Sequence, residues 1–188
     1  MCRLIRFSCI AVILAVSTAP LARSLEKQPA AVYHARRVAL AAKLHGGVAV
    51  LFAAEEPQLD FMPYRQDADF YYLTGWNEPG AALLIVEDAG QVQNAGTQSA
   101  GALASHPYKE ILFLPTRDLR MEKYTGAKLD AASQDVTITA GVDEVQAMTE
   151  LATVLNRLIA ADRRLGRSVW TQPESTQAKA LLGYTAVT

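Results

Sequence analysis

An α/β fold, a mixed sheet flanked by helices, is predicted by three features of this chain. Val48–Ala53, Ala81–Val86 and Ile111–Leu114 are unbroken apolar runs of strand length, as suits strands covered on both faces. Around them lie longer segments whose apolar residues recur at helical spacing, chiefly Ala30–Leu44 and the stretch from Asp143 to Ile159. Strands alternating with helices, with one hairpin among them, give a sheet of mixed direction.

The 188 residues suffice for one domain with a proper core and are too few for two ordinary ones. With 51% apolar and 20% charged residues the composition is globular. A formal net charge of -1, without a basic run, gives no footprint for nucleic acid.

Residues 1–22 read as a secretory leader. Arg3 and Arg6 precede an apolar run, Phe7–Val16, and small residues lead to a cut after Ala22. The run is too short to span a bilayer, so no stable membrane anchor is expected. The mature domain is then 23–188, exported to the periplasm or medium; if the leader reading fails, the location is cytoplasmic. Both cysteines, Cys2 and Cys9, fall inside the leader, which leaves the domain without a disulfide or thiol nucleophile.

Ala30–Leu44 is predicted as a helix with an apolar face of Val32, Ala35, Val38, Ala39 and Ala42, with Arg36, Arg37 and Lys43 turned away. Gly46-Gly47 ends it. Phe70–Leu73 and Ala81–Val86 read as a strand pair across the turn Asn77-Glu78-Pro79-Gly80. Glu87–Tyr108, poor in large apolar groups, reads as an exposed excursion. Arg117–Tyr124 is a helical turn stopped near Gly126, and Val136–Thr139 a short edge strand. Asp143, with Gln146 three residues on, is placed as the N-cap of the best helix. Val169–Thr171 and Gln177–Leu182 supply a last strand and helix.

The polar lead-in Tyr64-Arg65-Gln66-Asp67-Ala68-Asp69 before an apolar segment admits two readings from its residues alone. Asp67 and Asp69 cap backbone amides in a polar loop, or they form a D-x-D site holding a divalent ion on a nucleotide diphosphate.

A wider pattern adds a third. Tyr64-Arg65-Gln66, Asp69-Phe70, Tyr72-Leu73-Thr74-Gly75 and Glu78-Pro79 resemble the signature of the N-terminal domain of Xaa-Pro aminopeptidases (aminopeptidase P). Leu112-Phe113, Arg117-Asp118-Leu119, Glu122, Tyr124 and Gly126 follow in the order of that family's second block, and Gly141-Val142-Asp143 in that of a third. The resemblance runs from about Tyr33 to about Ala180. It implies a creatinase-like N-terminal domain that narrows the approach to an active site and packs on a catalytic metallopeptidase domain or on neighbouring subunits.

In that family hydrolysis belongs to a separate half in which two Asp, one His and two Glu hold a pair of metals, usually manganese. No such set maps onto this chain, so no catalytic or metal-binding residue is assigned and the chain alone is expected to be inactive. His34, His45 and His106 read as surface or helix-end groups without ligand spacing. Tyr124 stands where the family's second block has tryptophan and is the residue implied nearest the substrate. Arg65, Asp69, Arg117 and Glu122 are expected to form fold and interface ion pairs. Tyr64, Gln66, Phe70, Tyr72, Gly75, Glu78, Pro79 and Gly126 complete the signature. The alternative is a stand-alone peptide-binding or assembly module derived from that domain. Trp170, Leu181 and Leu182 are not the polar replacements such a module would carry.

Overall fold

In the computed structural model, which describes residues 27–57, 63–87, 108–165, 168–173 and 175–182, the apolar runs become strands of one five-stranded sheet. These are β1 (Val48–Phe52), β2 (Ala82–Glu87), β3 (Tyr108–Leu114), β4 (Glu144–Ala147) and β5 (Val169–Trp170), in the order β4-β3-β2-β1-β5. β1, β2 and β3 run antiparallel, with Val50 opposite Leu84 and Leu84 opposite Ile111. β4 lies parallel to β3, and β5 parallel to β1. The sheet is therefore mixed, as the patterning predicts.

Alternation along each strand divides the core in two. Ala49, Leu51, Leu83, Ile85, Leu112 and Leu114 face one side, where α1 (Ala30–Ala41), α2 (Ala68–Thr74) and α4 (Val136–Ala140) cover them. Val50, Leu84, Ile111 and Phe113 face the other, against α5 (Leu151–Leu165) and α6 (Thr176–Leu182). The one-turn helix α3 (Glu122–Thr125) lies outside both layers. Leu182 is buried on α6 and Leu181 packs beside it, so these two are not part of an open docking face.

Four elements differ from expectation. Phe70–Leu73 is not a strand but the body of α2. Asp67 Oδ1 accepts the Phe70 amide at 2.8 Å, and this cap starts a helix that overrides aromatic strand preference. Helical phase sends Phe70 and Leu73 inward and leaves Tyr72 57% exposed. Val136–Thr139 is likewise helical, because Val136 and Ala140, four residues apart, both reach the core. Asp143 caps no helix. Its carboxylate accepts the Glu110 amide at 2.8 Å and Glu144–Ala147 joins β3 as an edge strand, so the long helix begins only at Leu151.

The fourth is α1, present where predicted but turned over. Val32, Ala35, Val38, Ala39 and Ala42 are exposed, while Tyr33, Arg37 and Leu44 are buried on the sheet side. Arg37 is fully buried. It donates to Leu73 O at 2.8 Å and Gly141 O at 2.5 Å, and its Nη2 lies 2.8 Å from Glu110 Oε2 as a charge contact rather than an aligned hydrogen bond. His34 Nδ1 sits 3.1 Å from the other oxygen of Glu110, so His34 belongs to this network and is not a surface group. Burial pushes the Tyr108 hydroxyl well above its ordinary value, and the neighbouring Glu110 adds to the effect. One guanidinium thus ties α1 to α2, to the end of α4 and to β3. Residues 1–26 and most of the excursion after β2, His106 included, lie outside the described residues.

Candidate functional site

The polar lead-in is a staple. Gln66 makes four hydrogen bonds: its oxygen accepts the amides of Ala54 at 2.7 Å and Asp67 at 2.8 Å, and its nitrogen donates to the carbonyls of Trp76 and Glu78, both at 3.1 Å. One amide side chain, with all four of its bonding sites used, joins the end of β1, the start of α2 and the turn at Glu78-Pro79. Tyr64 lies over the same corner, its hydroxyl 3.5 Å from Ala54 O. Partial burial and the carboxylates of Asp67, Glu56 and Glu78 push that hydroxyl up to about 12.

The second motif builds a rigid exposed turn. Arg117 Nε and Nη2 donate to the two oxygens of Glu122 at 2.6 and 2.7 Å, a bidentate pair, and Glu122 Oε1 also accepts the Lys128 amide at 3.3 Å. The Arg117 hydrogen bond holds the Glu122 carboxyl below its ordinary value. Above this brace Leu119 and Met121, before α3, and Tyr124 on it are exposed to solvent, Tyr124 at 85% exposure, and Gly126 ends the turn at φ 84.

The fold brings the two motifs together. Glu55, Glu78, Pro79 and Gly80 from the first corner and Arg117, Asp118, Met121 and Lys128 from the second line one open pocket of about 310 Å³. Glu78 is the group most affected. Burial raises its pKa, Lys128 lowers it and Glu122 adds to the rise. A carboxyl raised in the folded state costs stability above that pKa, and the cost disappears as pH falls to the ordinary 4.5. Glu78→Gln should therefore unfold at higher temperature than the parent at neutral pH, with the two curves converging near pH 4. A gap constant with pH would contradict this assignment.

Other signature residues lie elsewhere. Phe70 is core, Gly75 closes α2, and Asp69 and Tyr72 border a separate groove. Arg65 is exposed, Arg117 and Glu122 form an ion pair at the surface, and the fully buried ion pair is Arg37–Glu110. Arg65→Ala should consequently leave the melting temperature within about 2 °C of the parent, and a larger fall in calorimetry would return Arg65 to a structural role. Asp67 Oδ1 both caps α2 and accepts Gln172 Nε2 at 2.7 Å, which is the capping role of the first reading. Gln172 also hydrogen-bonds both the amide and the carbonyl of Phe52. Its position after a two-residue strand gave no signal in the sequence. Glu110 did give one, since alternation with Leu112 and Leu114 aims it inward.

Among the described residues no three His, Cys, Asp or Glu side chains gather to hold a metal. These residues therefore do not fit the manganese pair that the resemblance implies for a catalytic half. Nor, among them, is any helix long and apolar enough to cross a membrane.

The family model for the aminopeptidase P N-terminal domain matches residues 33–166. The chain belongs to that family. It is 32% identical over 133 residues to the Xaa-Pro aminopeptidase of Escherichia coli, covering 68% of this chain and 26% of that protein. Against the Haemophilus influenzae Xaa-Pro aminopeptidase the identity is 36% over 99 residues, covering 52% of this chain and 18% of the relative. Among solved structures, E. coli aminopeptidase P with the inhibitor Pro-Leu superposes with a TM-score of 0.62 at 28% identity, covering 84% of this chain and 32% of that one. The chain thus spans 18% to 32% of the length of these proteins that it resembles.

Proposed function

We propose that this chain is the non-catalytic N-terminal domain of a Xaa-Pro aminopeptidase, controlling peptide access and assembly beside a metal-binding catalytic half. Such an enzyme removes the N-terminal residue that precedes proline. One observation carries the reading: the two motifs converge on a single surface, where the Arg117–Glu122 brace holds Tyr124 out in solvent at 85% exposure. A flat ring fixed outside its own core has its use against another surface, either the catalytic domain, a neighbouring subunit or the peptide between them. Export through residues 1–22 belongs to the same proposal. The exposed apolar side of α1 speaks against a stand-alone module, which would have polar groups there.

The test is the mass and N-terminal sequence of the native polypeptide, with hydrolysis of a Xaa-Pro peptide assayed in manganese. We expect a start near Arg23, no turnover by the 188-residue chain, and turnover wherever a catalytic half accompanies it. Hydrolysis by the isolated chain would overturn the proposal.

A further inference from the structure

The pocket of about 310 Å³ between the two motifs carries acidic groups that the fold does not use. Glu55, Glu56 and Glu78 line it, and their carboxylates make no hydrogen bond or ion pair among the described residues. Asp118 is a fourth carboxylate in the lining, one of its oxygens accepting the amides of Arg120 and Met121. Of the two cations there, Arg117 is held by Glu122, which leaves Lys128 against four acids. The whole chain has a net charge of only -1, so this corner concentrates negative charge. Two groups register the field. Burial, then Asp67, Glu56 and Glu78, push the Tyr64 hydroxyl up to about 12, and Glu122 adds to the burial that raises the Glu78 carboxyl against the pull of Lys128.

The arrangement selects the kind of cation. Among the described residues no three of these carboxylates gather closely enough to hold a metal ion, so the charge is spread around the pocket rather than focused on one point. Apolar groups stand between the acids, Pro79, Pro115, Met121 and Leu129 among them. An ammonium is compact and strongly hydrated, and it gains little from acids that stand apart. A guanidinium is planar and weakly hydrated, and its five donors reach more than one carboxylate. Its apolar stem can lie along Pro79 and Met121 while the head meets the acids. The volume is at the lower end for small-ligand sites and suits one long side chain.

We propose that this pocket binds an arginine side chain of the peptide on its way to the catalytic half, so that the domain favours arginine-bearing substrates. The source of the arginine rests on the function proposed above; the pocket and its preference for a guanidinium do not. Tyr124, exposed and next in the chain to Thr125 of the lining, stands where the same peptide would pass.

The experiment titrates the 188-residue chain calorimetrically with the peptide Ala-Pro-Arg-Ala. Its controls carry citrulline, which keeps the shape of arginine and removes the charge, or lysine in the same place. We expect the arginine peptide to bind at least tenfold more tightly than either control at low salt, and its lead over citrulline to shrink as salt rises. Glu78→Gln should lose at least fivefold in affinity for the arginine peptide and nothing for citrulline, while unfolding no lower than the parent. Glu55→Gln, at an exposed side chain, is a second variant expected to act in the same direction. Equal binding of arginine and citrulline, lysine binding as tightly as arginine, no binding of any peptide, or full arginine affinity in both variants would each overturn the proposal. Native enzyme that turns over the arginine and citrulline peptides with equal kcat/KM would sink the pocket alone. Selective arginine binding by this chain beside a native protein without Xaa-Pro turnover would instead sink the function proposed above.

Discussion

Arg37→Ala is expected to destabilise the domain by about 3–5 kcal/mol, a fall of roughly 10 °C or more in melting temperature for a domain of this size. The magnitude follows from what remains behind. Glu110 is fully buried on β3, and Arg37 is the cation against its Oε2. His34, at the other oxygen, is partly accessible and carries charge only when protonated. Removing the guanidinium also strips the donors from Leu73 O and Gly141 O, so two carbonyls lose their partners together with the carboxylate. Arg37→Leu with Glu110→Leu should recover part of the loss, because an apolar pair leaves no uncompensated charge. Chemical denaturation of the two singles and the double measures this directly. A double variant as unstable as Arg37→Ala would mean that the carbonyl bonds, and not the charge, dominate.

This pair also marks where sequence reading stops. The strands are legible because their composition is decisive: the first five positions of β2 and the last four of β3 are apolar, and nothing competes with a doubly covered sheet. The α1 segment was legible as a helix but not in phase. Its alanines and valines give both sides an apolar character, and the buried side is fixed by Tyr33 and by a charged residue whose partner lies 73 positions away on β3. No local pattern encodes that distance. The short helices α2 and α4 were misread for a related reason, their β-branched and aromatic residues outvoting caps and core contacts that only the assembled fold supplies. The candidate site fared better. Both of its motifs were legible as ordered blocks, and Glu78 and Arg117 were named without knowing that one pocket joins them. Gln66 was visible as a signature residue, but its four bonds reach from Ala54 to Glu78 and needed the corner to be closed.

Gly75→Ala should be the other severe substitution, costing about 2–5 kcal/mol from two separable sources. Gly75 ends α2 at φ 62, where a side chain costs about 1–2 kcal/mol in backbone strain. A Cβ there would also stand 2.3 Å from Tyr33 Cζ and 2.7 Å from its hydroxyl. Tyr33 has little room to yield, being 3% exposed on the buried side of α1 with its hydroxyl accepting the Gln28 amide at 3.1 Å. Displacing the ring therefore lifts α1 from α2, the same contact that Arg37 secures from the other end. The decisive measurement is a cycle with Tyr33→Leu, read by denaturant unfolding. If the ring is the obstacle, Gly75→Ala costs markedly less in the Tyr33→Leu background than in the parent. Strictly additive losses would place the whole effect in the backbone and release α1 from any dependence on that contact.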